Sequence, residues 1–110
     1  MKDIKLTENE RAAILRFKEV LTGKYNILDF CIFGSKARGD TFPESDIDIM
    51  IEIEDYRPEI ESEIRNLAFE INLDYDCFIT TTIFSKKELE EGPLSESPLY
   101  KTIEMEGVRV

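Results

Sequence analysis

Two short runs of this chain carry residue types able to do chemistry: Gly34-Ser35-Lys36-Ala37-Arg38-Gly39-Asp40 and Ser45-Asp46-Ile47-Asp48. Asp46 and Asp48 stand two residues apart, so on a strand both carboxylates leave the same face. Magnesium takes hard oxygen ligands and keeps several waters, so one or two carboxylates plus substrate phosphates suffice to hold it. Glycine at position 34 lets the backbone approach a phosphate. A helix opening just after it offers free N–H groups and the positive end of its dipole. The Ser35 hydroxyl is a further donor. Arg38 either contacts phosphate or pairs on the surface with Asp40 or Glu44, whereas Lys36 reads as structural. Together the runs suit a nucleoside triphosphate and its magnesium. Taken singly they are ordinary, since alternating acids mark many solvated strand faces and Gly-Ser makes many strand-to-helix turns.

The elements around them follow from spacing. Thr7-Glu8-Asn9-Glu10 forms a capping box, and Ile14, Phe17 and Leu21 then recur at helical spacing up to Gly23. Positions 27–33 are apolar except for Asp29, which reads as a buried strand closed by Gly34. A short helix over 36–38 ends at Gly39, and Thr41 to Ser45 is a loop around Pro43. From Asp46 the chain alternates: Ile47, Ile49, Ile51 and Ile53 face one way, with Asp46, Asp48, Met50 and Glu52 opposite. Pro58 opens a helix with Ile60, Ile64, Leu67 and Ile71 on its buried face, closed by Asn72. Asp74 to Phe84 is rich in aromatic and β-branched residues and reads as the third strand. Ser85-Lys86-Lys87-Glu88 opens a short helix broken at Gly92-Pro93, and a last helix runs from Ser97-Pro98 to Gly107. Val108-Arg109-Val110 either pairs with a sheet edge or frays. This order predicts an α/β (α+β) domain with a small mixed β-sheet flanked by helices.

The bulk composition narrows the function classes. A chain of 110 residues suits one domain, residues 1–110, and 42% apolar residues are enough for a core. No stretch is long enough to span a bilayer and no signal peptide is evident, so a cytoplasmic protein is expected. The 24 acidic against 14 basic residues leave a net charge of −10, which repels phosphate backbones and makes a long nucleic-acid partner unexpected. There is no histidine, which removes imidazole bases and, with two unpaired-looking cysteines, zinc. Cys31 and Cys77 lie in apolar stretches and read as buried hydrophobes.

The glycine-serine run followed by Ser45-Asp46-Ile47-Asp48 resembles the signature of the DNA polymerase beta-like nucleotidyltransferase superfamily, in particular the minimal nucleotidyltransferases of prokaryotes. The resemblance implies the nucleotidyltransferase fold. It further implies transfer of a nucleoside monophosphate, AMP from ATP or another nucleoside triphosphate, to a hydroxyl with release of pyrophosphate. In that scheme Gly34 and Ser35, with Arg38, hold the triphosphate. Asp46 and Asp48 bind two magnesium ions, and a third carboxylate on the next strand completes the catalytic set. Asp76 is the preferred third acid and Asp74 the alternative. Such proteins resemble the antitoxin half of a pair with a helical HEPN-type toxin, some adding AMP to a tyrosine of that partner. The other reading is a degenerate module that binds nucleotide and acts by contact alone. An aminoglycoside-type transferase would need a substrate domain for which the chain lacks length.

Overall fold

The computed structural model describes residues 6–39 and 46–109. The expected loop 41–45, with Asp40 and Glu44, lies outside them, as do the first five residues and Val110.

Helix α1 (Glu8–Lys24) opens on the capping box: Thr7 Oγ1 accepts the Glu10 N–H at 3.1 Å and Glu10 Oε1 accepts the Thr7 N–H at 2.9 Å. It does not stop at Gly23. Gly23 stays helical and Tyr25 closes the helix in extended backbone. Strand β1 (Ile27–Phe33) leads to Gly34, then to helix α2 (Ser35–Arg38), ended by Gly39 in the left-handed region. Strand β2 (Ile47–Ile53) follows.

Helix α3 (Pro58–Tyr75) runs past the expected end at Asn72. Positions 74 and 75 therefore belong to the helix, and strand β3 begins only at Ile79 (Ile79–Ser85). The cause is that the apolar stripe continues through Ile71 to Tyr75, which packs on the core. Asp76 then closes the helix with φ 52°, a left-handed conformation that aspartate tolerates. Asn72 has another task. Its side-chain oxygen accepts the Ile79 N–H at 2.7 Å and its Nδ2 donates to the Ile79 carbonyl at 3.1 Å. Helix α4 (Lys86–Glu91) is capped by Ser85, a 3-10 turn fills Pro93–Glu96, and helix α5 (Pro98–Glu106) is capped by Ser97.

Strand β4 (Val108–Arg109) pairs antiparallel with β1, resolving the C-terminal alternative in favour of a sheet edge. The pairing, the burial of Val108 and the Asp29 carboxylate hold it together. That carboxylate takes the Arg109 guanidinium through two bonds, of 2.7 and 3.1 Å, and its Oδ1 also accepts the Phe30 N–H. The sheet order is β3-β2-β1-β4, with β1 antiparallel to β2 and β3 parallel to β2. A four-stranded mixed sheet flanked by helices is thus the observed architecture.

The alternation along β2 divides two cores. Ile47, Ile49, Ile51 and Ile53 bury one face against Phe17 of α1 and Ile64 of α3. Each such side chain contributes about 2 kcal/mol by leaving water. Met50 lies on the other face, in a smaller cluster with Cys31, Phe84, Leu89 and Ile103. That cluster includes Met50 and not Asp48, which lies toward the start of the strand and is half-buried.

Both cysteines are buried. Burial pushes the Cys31 thiol up from 9.0 to about 11, and Cys77 is raised for the same reason. A raised thiol favours the folded state fully below pH 9, and that share is lost as the pH rises through 11. Alkylation of Cys31 by iodoacetamide at pH 8, followed by mass spectrometry, is expected to be about a hundredfold slower in the native protein than in denaturant.

Candidate active site

The site forms where β1 ends, α2 begins and β2 begins. Gly34 adopts φ 75° and ψ −152°, backbone that side-chain-bearing residues rarely take. Phe33 stands opposite Asp48 in the β1–β2 register, which brings the next residue, Gly34, against the Asp48 carboxylate. A Cβ on Gly34 would lie 2.3 Å from Asp48 Oδ2. The bare α-carbon is therefore what gives that oxygen its place.

Asp48 is half-buried, and its other oxygen, Oδ1, accepts the Thr80 hydroxyl at 2.8 Å. Thr80 is its register partner on β3. Asp46 lies just before β2 and is exposed, two residues from Asp48 and so on the same side of the chain. The Ile47 N–H donates to the Phe78 carbonyl at 2.8 Å, which aligns the openings of β2 and β3 at this end of the sheet.

The short helix is anchored from below. Lys36 Nζ lies 3.1 Å from Glu10 Oε2, with the two side chains only 3% and 9% exposed. This agrees with the structural reading of Lys36. Arg38 reaches Glu106 of α5 at 3.1 Å; Asp40 and Glu44, the partners weighed for it in the sequence, lie outside the described residues. Ser35 opens α2 and is half-buried.

The third carboxylate is where the expectation and the structure part. Asp76 does not sit on β3: it is the exposed residue that ends α3, three positions before the strand. Asp74 lies in the last turn of α3 and is also exposed. On the strand beside Asp48 the matching position holds Thr80. Among the described residues, no three His, Cys, Asp or Glu side chains are grouped so as to hold a metal ion. Sequence reasoning missed Thr80 because it began the strand five residues early. Only the β2–β3 register singles it out from Thr81 and Thr82.

Gly34→Ala is expected to cost about 1–3 kcal/mol of stability from backbone strain and to displace the Asp48 carboxylate. Thermal unfolding reads the first effect, and loss of magnesium-dependent ATP binding in calorimetry reads the second.

The sequence profile of the nucleotidyltransferase domain matches residues 14–108, nearly the whole chain and both site runs. The chain belongs to the nucleotidyltransferase domain family. A nucleotidyltransferase acts on a nucleoside triphosphate, and a divalent metal is typical of the family. A relative from Methanocaldococcus jannaschii, named as a protein adenylyltransferase, is 37% identical over 93 residues, covering 77% of this chain and 93% of its own length. Among solved structures, a toxin–antitoxin complex with AMP-PNP superimposes with a TM-score of 0.62 at 18% identity, covering 94% of this chain and 72% of that one. A structure described as a minimal nucleotidyltransferase gives a TM-score of 0.61 at 17% identity, covering 91% of each chain. At these identities the two structures establish that the nucleotidyltransferase shares their fold.

Proposed function

We propose that this nucleotidyltransferase moves AMP from ATP to a hydroxyl, a tyrosine of a HEPN-type protein partner, and serves as the antitoxin of that pair. The observation that carries the site assignment is the bare α-carbon of Gly34 against Asp48 Oδ2. It leaves a cradle at the end of the sheet where a carboxylate oxygen and an approachable backbone meet. Gly34, Ser35 and Arg38 contact the triphosphate, and Asp46 and Asp48 hold magnesium. The donor set fits that ion, being hard oxygen on two side chains, with phosphate and water to complete its shell. Magnesium, when bound, neutralises the phosphates and the departing pyrophosphate.

The two-metal expectation included a third acid. Thr80 stands beside Asp48 instead, so Asp76 is left out of this proposal, and one ion is what the two carboxylates and the phosphates account for. Thr80 keeps Asp48 Oδ1 engaged and leaves Oδ2 turned to Gly34. In the transfer, the acceptor oxygen bonds to the α-phosphorus and the bond from that phosphorus to the bridging oxygen breaks. Pyrophosphate leaves, and the hydroxyl proton passes to solvent.

The M. jannaschii relative's name supports the AMP chemistry, and the toxin–antitoxin structure with AMP-PNP supports the partner and the nucleotide. A net charge of −10 suits docking on a basic protein. Among the described residues no helix is long and apolar enough to cross a membrane.

Thr80 favours a second reading: a module that binds nucleotide and partner without transfer. Incubation with magnesium and α-labelled ATP, with and without the product of the adjacent gene, separates the two. Label on the partner supports transfer. Saturable ATP binding with no label on any acceptor supports the module.

A further inference from the structure

Among the described residues, strand β3 is an edge of the sheet. Its seven residues, Ile79-Thr80-Thr81-Thr82-Ile83-Phe84-Ser85, contain no charge and no proline. Edge strands without such guards are templates for another strand, and proteins normally blunt them. The Ile47 N–H to Phe78 carbonyl bond sets the phase of the parallel ladder. By its alternation Thr80 and Thr82 turn their backbone groups to β2, while Ile79, Thr81 and Ile83 turn theirs outward. The Asn72 side chain satisfies both outward groups of Ile79, as a neighbouring strand would. Beyond it, no hydrogen bond among the described residues takes up the outward N–H and C=O groups of Thr81 and Ile83.

We propose that the outer edge of β3 receives an extended basic segment of a partner polypeptide as a fifth strand, and that this segment carries the acceptor hydroxyl. The proposal rests on the reading of the acceptor as a protein side chain. Charge selects the occupant. Asp46, Asp48, Asp74 and Asp76 all lie at the end where β2 and β3 begin, and a second copy of the chain would set −10 against −10. A basic segment meets these acids favourably. Distance selects the side chain. A strand added outside β3 lies two strand spacings from β2, about 9.6 Å from Asp48. A tyrosine on the Thr80 face, reaching toward a triphosphate held at Gly34 and Asp48, closes more of that gap than a serine does. Its phenolic oxygen bonds to the α-phosphorus, pyrophosphate leaves with the bridging oxygen, and the phenolic proton goes to water.

The test uses a synthetic decapeptide alternating lysine and valine around one central tyrosine, with the wild-type protein, magnesium and ATP. Amide hydrogen exchange by NMR is expected to slow about tenfold at Thr81 and Ile83 when the peptide binds. Thr81→Pro deletes one outward N–H while sparing the bonds to β2, and is expected to weaken peptide binding about tenfold with ATP binding retained. Thr81→Val, which keeps the N–H, is expected to bind as wild type. Unchanged exchange at both amides in the presence of saturating peptide overturns the proposal without recourse to any variant. Amides already protected in the free protein, together with a dimer in sedimentation that Thr81→Pro dissociates, overturn it in favour of a second copy. Peptide that docks at the edge but takes no label leaves the edge assignment standing and counts against transfer. Wild-type labelling of the protein partner by Thr81→Pro does the reverse.

Discussion

Lys36→Met is expected to lower the unfolding free energy by about 3–5 kcal/mol, read by urea denaturation. Lys36 and Glu10 form an ion pair at 3.1 Å with almost no solvent around either side chain. Removing the ammonium leaves a buried carboxylate whose described partner is the Thr7 N–H. The loss comes less from the missing attraction than from the stranded charge. The double variant Lys36→Met with Glu10→Gln is therefore expected to recover most of the loss, because a neutral amide still accepts from Thr7. A loss below about 1 kcal/mol would place the pair among exposed ion pairs and refute its burial. The pair also bears on function. It ties α2 to the start of α1 and so fixes where Gly34 and Ser35 stand.

Asp48→Asn is expected to cut AMP transfer by about 10³-fold or more, since a metal ligand accounts for several kcal/mol of charge stabilisation in the transition state. The fold should be unaffected or slightly more stable. Asparagine keeps the acceptor for Thr80 and removes a negative charge near Asp46. Labelling with α-labelled ATP and a melting curve on the same preparation check both halves. Transfer at the wild-type rate would refute the metal assignment. A melting temperature lowered by many degrees would mean that Asp48 is structural. Magnesium–ATP affinity should fall in the same variant, which keeps the test decisive if transfer proves undetectable in the wild type.

What was legible in the sequence was local. The capping box at Thr7, the isoleucine alternation of β2, and the glycine-serine turn ahead of paired acids depend on contacts between near neighbours. Residue type at fixed spacing determines them, and the family follows from the same runs. Tertiary structure decided the rest because it depends on what a residue meets from a distant segment. Asp76 looked like a strand acid until the stripe of α3, packed on the core, carried the helix through Tyr75. Asp29 interrupted an apolar run without evident reason until Arg109, eighty residues on, came to bind it. Thr80 was one of three equivalent threonines until the parallel register set it beside Asp48. The sequence by itself singled out the glycine-serine run and the paired acids as candidates to hold a triphosphate and its metal. The pairing of β2 with β3 decided which residue stands beside Asp48, because register is a property of two strands together and neither strand carries it alone.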